Sequence, residues 1–140
     1  MANEPIHPLI NDLNRPFWEA AEHGRFVLPW CTKTEAYFWP PAPFSPFAFP
    51  GPVIWKDAKP NGVLLAIAIY RRPFQQAFAP LMPYGVGLAA LDAGPRLQVH
   101  IAKPDGSDAP QVGGAVQIHF ASVIAGGPKI PLARVMLPHT

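Results

Sequence analysis

The chain has 140 residues, enough for one domain with a real core and short for two. Apolar residues make up 49% and charged residues 14%, which excludes disorder by composition despite 20 prolines. The formal charge is +2, and of the eleven Lys and Arg only Arg71 and Arg72 are adjacent, which argues against a dedicated nucleic-acid binder with one basic face.

The N-terminal stretch MANEPIHPLINDLN has neither the basic region nor the continuous apolar run of a secretory signal. The longest apolar run, Val63 to Tyr70, is far short of the ~20 residues that span a bilayer. One cysteine makes no internal disulfide, in keeping with a reducing compartment. The expected location is cytoplasmic, with no membrane association.

In chain order, NDLNRPFWEAAEHG predicts a short helix. Asn14 is placed to cap it, Pro16 sits in the first turn and Gly24 is the stop. RFVLPW is extended. The segment from Cys31 to Trp55 then holds seven aromatic residues and six prolines, which no helix and no ordinary strand accommodates. Phe44, Phe47 and Phe49 are expected to build a small core with Tyr37, Phe38 and Trp39. DAKPNG is a turn signal.

Five apolar stretches follow, at 62–70, 84–92, 95–102, 115–125 and 130–138. In RLQVHIA, Leu97, Val99 and Ile101 alternate with polar residues, and Val116, Ile118 and Phe120 do the same in VQIHF. Period two means strands with one buried face. DAGPR reads as a hairpin turn and KPDGSDAPQVGG as a longer loop. The fold expected is mainly β: a short N-terminal helical segment (1–24), a ribbon-like segment (25–52) and a five-stranded OB-fold barrel (53–140). Closure removes exposed strand edges.

Cys31-Thr32-Lys33-Thr34 has the length of a zinc knuckle, and Ser45-Pro46-Phe47-Ala48 the length of a second. With YFWPP between them, FWEAAEHGRFVLPWC before and PYGVGLAALDAGPRL, VGGAVQIHF and IPLARVMLP after, the chain resembles a family of small acyl-CoA-associated proteins. These join an N-terminal helix and a rubredoxin-like zinc ribbon to an OB-fold, and were long catalogued as a domain of unknown function. The resemblance covers almost the whole chain. It departs at the metal: of the four ligand places only Cys31 keeps a thiolate, while Thr34, Ser45 and Ala48 fill the others. Hydroxyls are poor zinc ligands and a methyl is none, so a metal-free ribbon is expected, with no cofactor.

No catalytic set is visible. Cys31 has no evident base, the histidines are dispersed, and GVGLAAL lacks a P-loop lysine. His100 and His119 fall on the polar phase of their strands, which predicts surface or rim positions. YRRPFQQAFAPLMPY offers Arg71, Arg72, Phe74 and Phe78 as candidate contacts for a phosphorylated ligand with an apolar body. Phe17, Trp18, Tyr37, Trp39 and Phe47 are candidate anchors for a partner protein.

The resemblance implies a non-catalytic accessory subunit, hetero-oligomeric with a thiolase-like or related acyl-CoA enzyme, that helps bind acyl-CoA or stabilises the partner. The chain alone is then expected to be no enzyme. The alternative is a single-stranded nucleic-acid-binding OB-fold, which the low charge disfavours.

Overall fold

A computed structural model describes residues 10–48, 51–72 and 76–136. The helix, α1, runs Arg15–Glu22. It ends as Gly24 predicts: Gly24 takes φ +72°, its N–H reaches the Ala21 carbonyl, and the Arg25 N–H reaches back to Ala20 at 2.9 Å. The start differs. Asn14 occupies the cap position, but its side-chain oxygen accepts from the Asn11 N–H at 2.9 Å and caps no amide of the first turn.

Three strands follow as a small antiparallel sheet: β1 (Val27–Cys31), β2 (Ala36–Tyr37) and β3 (Val53–Asp57), in the order β2-β1-β3. The first barrel strand, expected at 62–70, is β4, and the stretch between the expected segment boundary at 53 and that strand joins the small sheet. Residues 53–57 pair with β1 from Val27↔Asp57 to Cys31↔Val53, and β4 opens the barrel at Asn61.

β4 (Asn61–Tyr70), β5 (Tyr84–Leu91), β6 (Arg96–Ala102), β7 (Ala115–Ala121) and β8 (Ile130–Val135) close in the order β4-β5-β6-β8-β7. A 3-10 turn, Gln76–Leu81, lies between β4 and β5. The predicted hairpin turn joins β5 to β6, with the Leu91 N–H on Pro95 and Gly94 at φ +119°. The closure is uneven. β7 returns to β4 only at Asn61, Gly62 and Val63, and β6 meets β8 through a single parallel bridge, His100↔Leu132. This five-stranded closed barrel with one short helix is the OB-type architecture expected.

The barrel interior explains the small residues of β5. A Cβ on Gly87 would stand 2.8 Å from Leu64 Cδ1 and 2.9 Å from Ile101 Cδ1, so that space is already filled. The GVG of this strand serves packing: large side chains from β4 and β6 meet over bare backbone.

Helix, ribbon and barrel share one core. Phe17, Phe26 and Leu28 belong to the same buried cluster as Leu64, Leu97, Ile101, Val116 and Ile118. Phe17, 1% exposed, meets Trp18 at 4.9 Å, Trp39 at 4.8 Å and Phe120 at 5.7 Å between ring centres. Removing a fully buried phenylalanine costs ~3–5 kcal/mol, a large share of a domain's ~5–15 kcal/mol. Phe17→Ala is therefore expected to lower the urea midpoint sharply in a single transition seen by both fluorescence and circular dichroism. Val112→Ala, at an exposed loop position, is expected to stay within ~0.5 kcal/mol.

Candidate functional site

Two concavities on the barrel and one side-chain cluster in the ribbon gather the residues that carry chemistry. The first concavity, about 590 Å³, lies between the turn before β5 and the end of β7. Pro80, Leu81, Met82 and Pro83 form one wall, Ala121, Ser122 and Val123 the other, and Ala102 and Leu132 line it between them. OB-folds bind ligands in this region, on strands two and three between the loops that follow strands one and four. The lining is mainly apolar, and Lys103 and Asp105 stand on it as the charged groups.

Asp105 is already engaged. Its carboxylate accepts two bonds from Arg71, at 2.8 and 3.1 Å, which ties the segment after β4 to the loop after β6. That bidentate contact is the first cause holding the Asp105 carboxyl below its usual range. The arginine pair read from the sequence is thereby divided. Arg71 is occupied, whereas Arg72 is exposed and enters no ion pair among the described residues. Phe74 lies outside the described residues. Phe78 falls within the 3-10 turn, and its side chain is likewise outside what is described.

The second concavity, about 480 Å³, follows the weak β6–β8 seam. Leu97, Gln98 and Val99 of β6 face Ile130 and Pro131 of β8 across it, with Phe17, Trp18 and Trp39 over the gap. At its far end Tyr70, Tyr84 and His100 form a stacked ladder across three strands, with ring centres 5.1 and 5.5 Å apart. His100 was expected near the surface from its polar phase, but it is 9% exposed because Tyr84 lies flat against it. Burial pushes its pKa below the ordinary histidine value, so the ring is neutral at pH 7. Burial also raises the Tyr84 phenol, with Tyr70 adding to it.

The partner-binding candidates separate in the same way. Phe17 is spent in the core, and Trp18, Tyr37 and Trp39 are half-buried against it. Tyr37 stacks edge-on with Trp30 at 4.6 Å and its hydroxyl donates to the Asp57 carbonyl. Phe47 is 54% exposed and touches Phe38 at 6.3 Å. Of the small aromatic core expected within the ribbon, Phe38 and Phe47 meet and Trp39 turns to the helix, while Phe49 lies outside the described residues.

In the ribbon the knuckle geometry persists around one sulfur. The Thr34 N–H donates to Cys31 Sγ at 3.4 Å and the Glu35 N–H to the Cys31 carbonyl at 2.8 Å. The Ser45 hydroxyl reaches the sulfur while its oxygen accepts from the Phe47 N–H at 3.0 Å. Ala48 backs on to the same turn, its carbonyl occupying the space a Gly51 Cβ would need. One thiolate, two hydroxyls and a methyl do not fit zinc. Among the described residues no three His, Cys, Asp or Glu side chains are grouped to hold a metal ion.

Burial pushes the Cys31 thiol up, but donors from Ser45, Thr34 and the backbone of Thr34 and Lys33 together outweigh it and bring it from 9.0 to about 7. The donor cradle that would surround a metal-bound sulfur here stabilises a thiolate.

Residues 55–121 match the family model described as ChsH2, C-terminal OB-fold domain. Among solved structures, the chain is similar to one in the "Ltp2-ChsH2(DUF35) aldolase", with a TM-score of 0.75 and 26% identity over 94% of this chain and 100% of that one. No curated protein matches. Fold and comparisons define an OB-fold protein carrying an N-terminal helix and ribbon. Residues 55–121 are thus similar to the ChsH2-type OB-fold domain, in line with the resemblance of the motifs.

The same finding corrects one expectation. The missing catalytic set led the sequence reading to class the chain as no enzyme, inactive alone, yet the structure it matches end to end is that of an aldolase. An incomplete set of groups on one chain does not separate that chain from catalysis when a site is divided between subunits.

The thiolate is expected to titrate near pH 7 by ultraviolet absorbance, and the midpoint to rise in Ser45→Ala, which removes a donor. Because the folded-state pKa lies below the unfolded one, the thiolate's contribution to stability is fully present above pH ~9. It is lost as pH falls through about 7. Chemical denaturation at pH 6.5 and 8.5 checks the sign.

Proposed function

We propose that this chain is one subunit of a hetero-oligomeric enzyme acting on acyl-CoA thioesters, paired with a thiolase-like partner. The observation that carries the reading is the end-to-end match to the chain in the Ltp2-ChsH2 aldolase, which covers all of that chain. Carbon–carbon bond cleavage next to an activated acyl group is the reaction class it favours.

Within such an assembly, the apolar cleft between the 3-10 turn and the end of β7 is the ligand-facing region. Its size suits a small organic group, since binding sites of this kind run ~300–1,000 Å³. Arg72, exposed and in no ion pair among the described residues, follows Arg71, which is bonded to Asp105 on the cleft, and supplies a cation for phosphate. Lys103, on the rim, supplies another. Among the described residues His100 is the one ring on the cleft, with no row of aromatic platforms on which successive bases stack, which weighs against single-stranded nucleic acid as the ligand. The half-buried Trp18 and Trp39, with exposed Phe47, give the partner a face beside the seam groove.

Native purification followed by mass spectrometry is expected to recover a thiolase-sized companion, and the pair to cleave or transfer an acyl-CoA substrate. In the pair, Arg72→Ala is expected to raise the dissociation constant for acyl-CoA about tenfold, the equivalent of ~1.4 kcal/mol, with the complex intact. Trp39→Ala is expected to weaken association by ~2 kcal/mol or more. A folded Trp39→Ala chain with unchanged association, and only a lower melting temperature, assigns that ring to packing alone.

A further inference from the structure

β4 is the longest strand of the barrel, yet β7 pairs with it only as far as Val63, and the last ladder contacts on that side join Leu64 to Gly113 and Gly114. From Ala66 to Tyr70 the strand is bonded to β5 on one side, and on the other makes no backbone hydrogen bond to any described residue. Backbone groups alternate in direction along an antiparallel strand, so every second residue there turns its N–H and C=O to the open side. Proteins normally blunt such an edge with charge, proline or a bulge. Within residues 61–70, NGVLLAIAIY, there is neither charge nor proline; these come only after the strand, at Arg71, Arg72 and Pro73, and the one bulge, at Leu64/Ala66, lies before the open part. Leu65, Ile69 and Tyr70 are 38–40% exposed along it.

We propose that the open edge of β4, residues 66–70, is completed by an extended, uncharged strand of a partner protein. Unpaired amides and carbonyls in a row are matched by another backbone, which neither a lipid nor a small molecule supplies. The occupant is uncharged because no charged group stands on the edge to pair with one. It comes from a different protein because a strip of five residues falls well short of the ~800 Å² per partner that a stable pair of copies needs, and so serves as one element of a wider contact. The inference rests on the reading that the chain works with a partner. The edge leads directly into Arg71 and the turn lining the apolar cleft, so a strand added there would sit beside that cleft.

The test uses the full chain and an acetylated seven-residue peptide alternating threonine and valine, with amide exchange and chemical-shift mapping by NMR. Alone, the amides on the open side of 66–70 are expected to exchange at least a hundredfold faster than those bonded to β5. The peptide is expected to shift and protect these residues. Its affinity should fall at least tenfold in Ala68→Lys, and also when lysine replaces its central residue. Shifts confined to other residues, or equal binding by both peptides, overturn the proposal. Protection of 66–70 in the isolated chain at all concentrations assigns the edge to the chain's own segments. Concentration-dependent dimers abolished by Ala68→Lys assign it to a second copy. Either result also overturns the proposal, and neither depends on whether the thiolase-like partner exists.

Discussion

The structure depends on one side chain placed where three elements meet. Phe17 leaves the helix, enters the barrel cluster and carries Trp18, Trp39, Phe26 and Phe120 around it. An eight-residue helix is marginal alone, and a three-stranded sheet with two residues in one strand is hardly better. Both become stable by sharing apolar surface with the barrel, so the three segments fold as a unit. The seam groove exists because the helix roofs a gap that backbone pairing does not close.

The ribbon-like sheet is held together by a turn built around one sulfur and by several weak contacts. Backbone N–H groups around a knuckle are positioned by the turn, so they point at the sulfur whatever else the site contains. Ser45 adds a side-chain donor and at the same time closes its own turn through the Phe47 N–H. The burial of Phe38 and Leu28, the β1–β3 ladder and the Lys56 ammonium 3.9 Å over the Trp30 ring are the contacts that hold it.

Much of this was legible in the residues because the signals are local. Period two in RLQVHIA and VQIHF gave the buried faces of β6 and β7, Gly24 gave the helix end, and DAGPR gave the hairpin. What stayed hidden was set by distant partners. VIWKD was not singled out as a strand, because five residues without clear alternation carry no signal until β1 pairs with them. Arg71 is indistinguishable from Arg72 until Asp105, 34 residues away, takes it. The polar phase of His100 was read correctly, but its burial follows from Tyr84 stacking flat on it, which no alternation pattern reports. The cleft was half visible: the segment 70–84 was singled out, while its second wall at 121–123 had no signal of its own.

The single bridge between β6 and β8 has a consequence for the order in which the molecule comes apart. Every other junction of the barrel is a ladder of at least three residue pairs, whereas this one holds at His100↔Leu132 alone and is roofed by a helix. That helix is fastened to the start of β8 chiefly by the Lys129 ammonium on the Glu22 carbonyl and the Lys129 N–H on the Glu22 carboxylate. With one bridge to β6, β8 is held in the barrel mainly through β7, and parting the seam also draws Phe17 from the shared core, so an element early in the chain and one late in it open together.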